Sequence, residues 1–172
     1  MKSRIVVLVL TIALSMAAFA AGPKSTAPSG NASAAFEKLK TLVGEWEADS
    51  NVGKIQARYE LVSDGHVLIE HLSIAGVHDN MVTTYYLDGD KLGLTHYCGV
   101  GNQPRMQARG IADDGTIRFD FAGAANLASP RDKHMHRVLV RLIDNDHFNS
   151  DWTLFDGGKP TMTVAPQYVR VK

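Results

Sequence analysis

The sequence predicts an all-β protein, an antiparallel up-and-down barrel of about ten strands preceded by one short helix. Three observations predict it. Turn signals recur as Asp64-Gly65, Asp88-Gly89, Asp114-Gly115, Asp144-Asn145 and Asp156-Gly157. Between them run segments of strand length in which apolar and polar residues alternate with period two. The 172 residues, 45% of them hydrophobic, suffice for one packed core and leave little for a second. Many short strands from one chain favour a closed barrel, because closure removes exposed edges.

The first residues read as a targeting segment. Lys2 and Arg4 precede an unbroken apolar run from Ile5 to Leu14, and small residues follow up to Ala18-Phe19-Ala20, the A-x-A pattern of a signal-peptidase site. The run is short for a membrane span. Residues 1–20 are therefore expected to be a secretory signal peptide, 21–33 a flexible leader and 34–172 the barrel domain, exported to the periplasm or secreted with no stable membrane anchor after cleavage. Cys98 is the only cysteine, so no internal disulfide forms even in an oxidising compartment. Lys+Arg 18 against Asp+Glu 18, with no basic block, gives no electrostatic footprint for nucleic acid.

Ser33 is expected to cap a helix to about Val43, with Phe36, Leu39, Lys40 and Val43 at helical spacing. Strands are expected at 45–51, 54–62, 66–75, 80–87, 91–98, 103–111, 116–122, 133–143, 147–155 and 161–171. Alternation assigns Ile55, Ala57, Tyr59 and Leu61 to the interior, and likewise Ile117, Phe119 and Phe121. In 133–143, Lys133, Arg137 and Arg141 mark the outer face, which turns His134, His136, Val138, Val140 and Leu142 inward. In 91–98, Leu92 and Leu94 carry His96 and Cys98 inward. Strand 66–75 is partly apolar on both faces, and its register stays open.

The inward polar residues are the candidate site. His134 and His136, two residues apart on one strand, share a face and can reach one metal, zinc or copper, with His96 or Cys98 as third ligand. Without metal the same histidines line a cavity or pack in the core. Cys98 is a nucleophile only if a histidine lowers its pKa; a lone cysteine on an apolar face ordinarily packs as a small hydrophobe. Tyr59 and Tyr85 can place hydroxyls inside, each needing a partner when buried. Arg105 and Met106 stand at a strand entrance beside Asn102 and Gln103, where a guanidinium can hold a carboxylate head group. Trp46 and Trp152 are expected to fill the core or close a barrel end. Gly99-Val100-Gly101-Asn102-Gln103-Pro104 has proline where a dinucleotide loop needs its third glycine, and no G-x-S-x-G elbow occurs.

A short helix followed by Leu42-Val43-Gly44-Glu45-Trp46 resembles the G-x-W entry into the first strand of lipocalin-like barrels. Leu94-Thr95-His96-Tyr97-Cys98, followed by Gly101-Asn102-Gln103-Pro104-Arg105-Met106, is similar to a run in an exported bacterial family of uncharacterised lipocalin-like (calycin-like) proteins. The likeness covers about residues 36–171 and implies the barrel but no settled activity. The related nitrobindin barrels bind haem through a histidine near the barrel end, which corresponds to no single position here; haem is thus implied by resemblance alone. Three functional readings follow: a barrel binding a small, largely apolar molecule, a metal-dependent enzyme built on the histidines, and a structural or interaction protein with a filled barrel. The first is preferred because the histidines are expected to point inward.

Overall fold

Ten strands close the barrel because the chain turns back at every Asp-Gly signal. A computed structural model describes residues 30–78 and 80–172, so the expected signal peptide and residues 21–29 of the leader lie outside the described residues. Helix α1 (Gly30–Lys40) is followed by β1 (Gly44–Ser50), β2 (Gly53–Val62), β3 (Val67–Ile74), β4 (Met81–Asp88), β5 (Lys91–Tyr97), β6 (Gln103–Ala108), β7 (Thr116–Ala125), β8 (His134–Leu142), β9 (His147–Asp156), β10 (Lys159–Val164) and β11 (Gln167–Arg170). At the β2–β3 hairpin Ser63, Asp64 and Gly65 all take positive φ, which explains the Asp-Gly signal there. The helix starts three residues earlier than expected, so Ser33 lies inside it; Ala32, Ala35, Phe36 and Leu39 form its buried face, and Val43 is exposed.

Neighbouring strands pair antiparallel from β1 through β9, and β8 pairing with β9 closes the ring. The expected last strand, 161–171, is two segments. β10 and β11 lie along one edge of β9 in one register, Val164 opposite Trp152 and Gln167 opposite Asn149. Pro166 lacks an amide hydrogen and breaks the ladder, while its carbonyl still accepts from Ser150 N at 3.2 Å. Only β11 bridges to β1, through Trp46–Arg170 to Asp49–Gln167. Four residues therefore make the seam.

The two ends of the barrel differ. At the end where β1 begins, α1 packs on β4 and β5. There Arg170 donates to the carbonyls of Val43 and Thr41, both at 2.8 Å, and to Asn145, and its guanidinium lies 4.1 Å over the Trp46 ring. The Trp46 indole donates to Leu42 O at 2.7 Å. Gly44 leaves room for this clamp: a Cβ there would sit 2.8 Å from an Arg170 nitrogen, at φ +130°. The β1–β2, β3–β4, β5–β6, β7–β8 and β9–β10 connections gather at the opposite, open end, where Asn102 donates to Lys133 O and Asn126 to Gly101 O.

The inward set is largely the expected one. Trp46, Ile55, Ala57, Tyr59, Leu92, Leu94, Ile117, Phe119, Val138, Val140 and Trp152 are buried. Leu61 departs from it, being 40% exposed where β2 reaches its turn. The larger departure is in β8. A bulge between Met135 and Arg137 inserts one residue, so Met135 opposes the buried Leu154 and His134 opposes Phe155. Beyond the bulge Val138 and Val140 keep the expected face, whereas before it Met135, between the two histidines, is the side chain that reaches the interior cavity.

Replacing Arg170 by Ala removes three charged hydrogen bonds and the contact over Trp46, and is expected to cost about 2–4 kcal/mol. Urea unfolding of Arg170→Ala beside the exposed control Arg141→Ala, expected to change by well under about 1 kcal/mol, measures it.

Candidate functional site

A row of polar side chains crosses the barrel interior as direct cross-strand partners: Tyr59 opposes Glu70, Glu70 opposes Thr83, and Thr83 opposes His96. All four are buried, Glu70 to 1% exposure. The Tyr59 hydroxyl donates to Glu70 Oε1 at 2.8 Å and the Tyr85 hydroxyl to Oε2 at 3.1 Å. Thr83 also hydrogen-bonds the carboxyl, and its Oγ1 is 2.9 Å from His96 Nδ1. A hydroxyl has one hydrogen. The Thr83–His96 bond runs in the sense the ring tautomer sets, the hydroxyl donating to a bare Nδ1 or accepting from Nδ1–H.

Burial sets the charge states of the row. It pushes the Glu70 carboxyl up, against the hydrogen bonds from Tyr59, Thr83 and Tyr85. It lowers His96 to about 4, so the imidazole is neutral at neutral pH. Burial, then the nearby Glu70, hold the Tyr59, Tyr85 and Tyr168 hydroxyls well above the usual phenol range, so they remain donors. The Tyr168 ring stacks on Phe148 at 4.4 Å, and its buried hydroxyl has the hydroxyl of Ser150 as its neighbour, a contact that works against the burial shift.

Above the row, toward the open end, is an apolar cavity of about 50 Å³. Ile55, Ile74, Met81 and Met135 form much of its wall, together with Trp152, His96 and Tyr168. The His96 ring packs 4.7 Å from that of Trp152. Such a volume has room for about three or four heavy atoms, against the roughly 300–1,000 Å³ of most ligand pockets. A larger groove, about 730 Å³, lies on the outer surface among Lys91, Arg109, Arg118 and Asp120. It is an open trough in which Arg118 is paired with Asp120 and Lys91 with Gln107.

The expected site residues fall into separate places. His96 lines the cavity; Tyr59 and Tyr85 lie deeper, holding Glu70. Met106 is wholly buried in the core. Arg105 is exposed on the outer face, its cross-strand partner being Thr95 between the inward Leu94 and His96. Cys98 is half-buried just beyond β5, and burial raises its thiol, the opposite of an activated nucleophile. His134 is wholly buried and His136 partly so, but neither lines the cavity. His134 Nδ1 is 2.6 Å from Asp132 O and its Nε2 3.0 Å from His136 Nδ1, while the His136 ring stacks between Phe155 at 3.8 Å and Phe121 at 4.9 Å. The trio His96, His134 and His136 is not assembled: among the described residues no group of three His, Cys, Asp or Glu is placed to hold a metal. Haem does not fit the interior either, because the only histidine lining the cavity faces about 50 Å³ of space.

No family model matches the chain, and no curated protein matches it significantly. A solved structure does: a protein of unknown function from the DUF3598 family of Nostoc punctiforme, with a TM-score of 0.55 and 14% identity over 77% of this chain. The chain spans about half, 48%, of that protein. The likeness shows the barrel fold.

The folded state depresses the pKa of His96, so His96 favours folding fully above its unfolded value of 6.5 and loses that contribution as the pH falls toward about 4. The shift corresponds to about 3 kcal/mol. Glu70, its pKa raised, works in the other direction, its contribution declining as pH rises above its ordinary 4.5. Relative to His96→Gln, the wild-type protein is expected to lose about 3 kcal/mol between pH 7.5 and 4, read by urea unfolding at each pH. Parallel pH profiles would contradict the assignment.

Proposed function

We propose that this barrel binds a small, mostly apolar molecule at its open end. The observation that carries the reading is the apolar cavity whose wall holds one neutral, partnered imidazole with a free ring nitrogen. Met81 and Met135 in that wall are unbranched and only partly buried, so their rotamers can adjust to a ligand larger than the empty space. The basicity of His96 argues against the enzyme reading, since an imidazole titrating at about 4 is a weak base. The small volume favours a second reading, a filled barrel that acts as a scaffold or interaction protein.

Toluene titrated into the full chain, followed through the indole N–H resonances, separates the two. A saturable shift at Trp152 with Trp46 unmoved supports binding, and Met135→Ala, which enlarges the cavity, is expected to tighten it. The absence of any saturable shift in both proteins supports the filled barrel.

Export is part of the same proposal. It rests on Lys2, Arg4, the apolar run Ile5 to Leu14 and the small residues ending at Ala20, all outside the described residues. Protein recovered from outside the cytoplasm is expected to begin at Ala21 on N-terminal sequencing; an intact Met1 there would overturn it.

A further inference from the structure

Arginines far apart in the sequence gather on one outer wall of the barrel. The outward residues of β5 to β8 include Lys91, Arg105, Arg118, Arg137 and Arg141, with Arg109 directly after β6, and the one carboxylate in these four strands is Asp120. Arg118 and Arg137 hold Asp120 at 2.8 and 3.0 Å, whereas Arg105 and Arg109 are exposed and pair with no carboxylate among the described residues. Across the barrel β1 turns Glu45, Glu47 and Asp49 outward, so a formal net charge of +0 conceals one basic and one acidic side. An aromatic platform adjoins the basic side. A Cβ on Gly93 would meet Tyr86 Cε2, Cζ and Cδ2 at 2.8, 3.1 and 3.3 Å, and three neighbouring ring atoms at such similar range mean that the glycine lies under the ring face. Tyr86 is the cross-strand partner of Gly93, whose φ is not positive, so the position is small to admit the ring. Thr95 Oγ1 fixes the Tyr86 hydroxyl at 3.1 Å, and no other ring or cation stacks on Tyr86 among the described residues. Beside it Gln107 accepts from Lys91 at 3.1 Å and donates to Asp88 at 3.2 Å.

We propose that this outer wall, from β4 to β7, binds an extended carbohydrate chain bearing carboxylates, one sugar ring lying on Tyr86 and the acid groups on Arg105 and Arg109. Gln107 is the cross-strand partner of Gly93, and the two unpaired arginines stand on either side of Gln107, so both flank the ring. The face of a phenol ring is electron-rich and attracts the polarised C–H bonds on one side of a sugar. Sugar hydroxyls both donate and accept, which suits the mixed set Lys91, Gln107 and Asp88. A guanidinium meets a carboxylate through two parallel hydrogen bonds, and these two arginines have no ion pair to give up. Asp88 and Asp120 also stand in this wall. A phosphate backbone brings acceptors alone and is repelled by them, whereas a sugar donates to them; an acidic peptide matches the arginines but not the platform. The open trough of about 730 Å³, reaching from Lys91 to Asp120, gives the chain a bed along the surface. The site is separate from the interior cavity and independent of what the cavity holds.

Oligogalacturonate, a neutral cello-oligosaccharide of equal length, polyglutamate of equal charge and a single-stranded oligonucleotide, titrated separately into the full chain at low salt, test it. Calorimetry reads the affinity and the Tyr86 ring resonances the location. The galacturonate is expected to bind saturably, to shift Tyr86 while the Trp152 indole stays unmoved, and to bind at least about tenfold more tightly than any of the other three. Tyr86→Leu keeps Gly93 covered but removes the ring, and is expected to bring the galacturonate to the affinity of polyglutamate. Arg105→Gln combined with Arg109→Gln alters exposed side chains only, and is expected to bring it to the affinity of the neutral sugar. If Tyr86→Leu does not fold by circular dichroism, the arginine pair and the wild-type Tyr86 resonances carry the test. Equal affinity for polyglutamate would overturn sugar recognition in favour of an acidic peptide, and tighter binding of the oligonucleotide would overturn it in favour of nucleic acid. Equal affinity for the neutral sugar would overturn the part given to the arginines. No saturable binding of the galacturonate would overturn the whole proposal.

Discussion

The barrel depends on a seam four residues long. Antiparallel hairpins bring β1 through β9 together by local steps, but the first and last strands meet only if a segment from the end of the chain lies between them. β11 is that segment, and its last residue holds it in place. Arg170 reaches from the seam to the carbonyls at the C-terminal end of α1, where a cation is favoured both by unpaired carbonyls and by the helix dipole. The same guanidinium covers Trp46, whose ring meets Phe148 at 4.7 Å edge-on, and Phe148 in turn packs against Tyr59 and Tyr168. Closure of the ring, docking of the helix and placement of the inner aromatic cluster are one event.

Within that ring Glu70 gives the interior its direction. A carboxyl group removed from water is costly unless its oxygens are occupied, and here three hydroxyls occupy them. The arrangement adds little net stability by itself, since an apolar residue in an apolar setting would avoid the cost. Its effect is on geometry: Thr83 is oriented by the carboxyl and orients His96 in turn, so Glu70 is a positioning residue for a nitrogen two strands away. The chain of bonds follows the transverse direction of the sheet, where neighbouring strands hold side chains roughly 5 Å apart at fixed heights.

Much of this was legible in the sequence. The Asp-Gly turns located the hairpins, and reflection of Tyr59 through Asp64-Gly65 lands on Glu70, as reflection of His96 through Gly89-Asp90 lands on Thr83. The signal for the polar row was therefore present; it was obscured because β3 is apolar on both faces, so Glu70 had no assigned side. Tyr168 was hidden for a different reason, the break at Pro166, which separates its segment from the alternation of β10. The histidines of β8 show the limit of a period-two argument. Arg137, Val138, Val140 and Arg141 fixed the register correctly over the regular part of the strand, but a bulge leaves no trace in an alternation pattern. One inserted residue was enough to replace the expected histidines with Met135 at the cavity wall.

The break at Pro166 also decides how the molecule meets other chains. β10 pairs with β9 on one side only, so between Lys159 and Val164 the sheet offers a backbone edge of the kind that recruits foreign strands into aggregates. This edge is poorly suited to such growth. Lys159 places a charge at its start, Pro160 removes a donor, the register slips between Pro160 and Met162, and Asn51 already occupies the carbonyl of Thr163 at 2.9 Å. A newcomer would have to desolvate an ammonium group, lose one ladder bond to the proline and follow an uneven spacing of donors and acceptors. The discontinuity that lets the ring close thus leaves behind a margin that resists polymerisation.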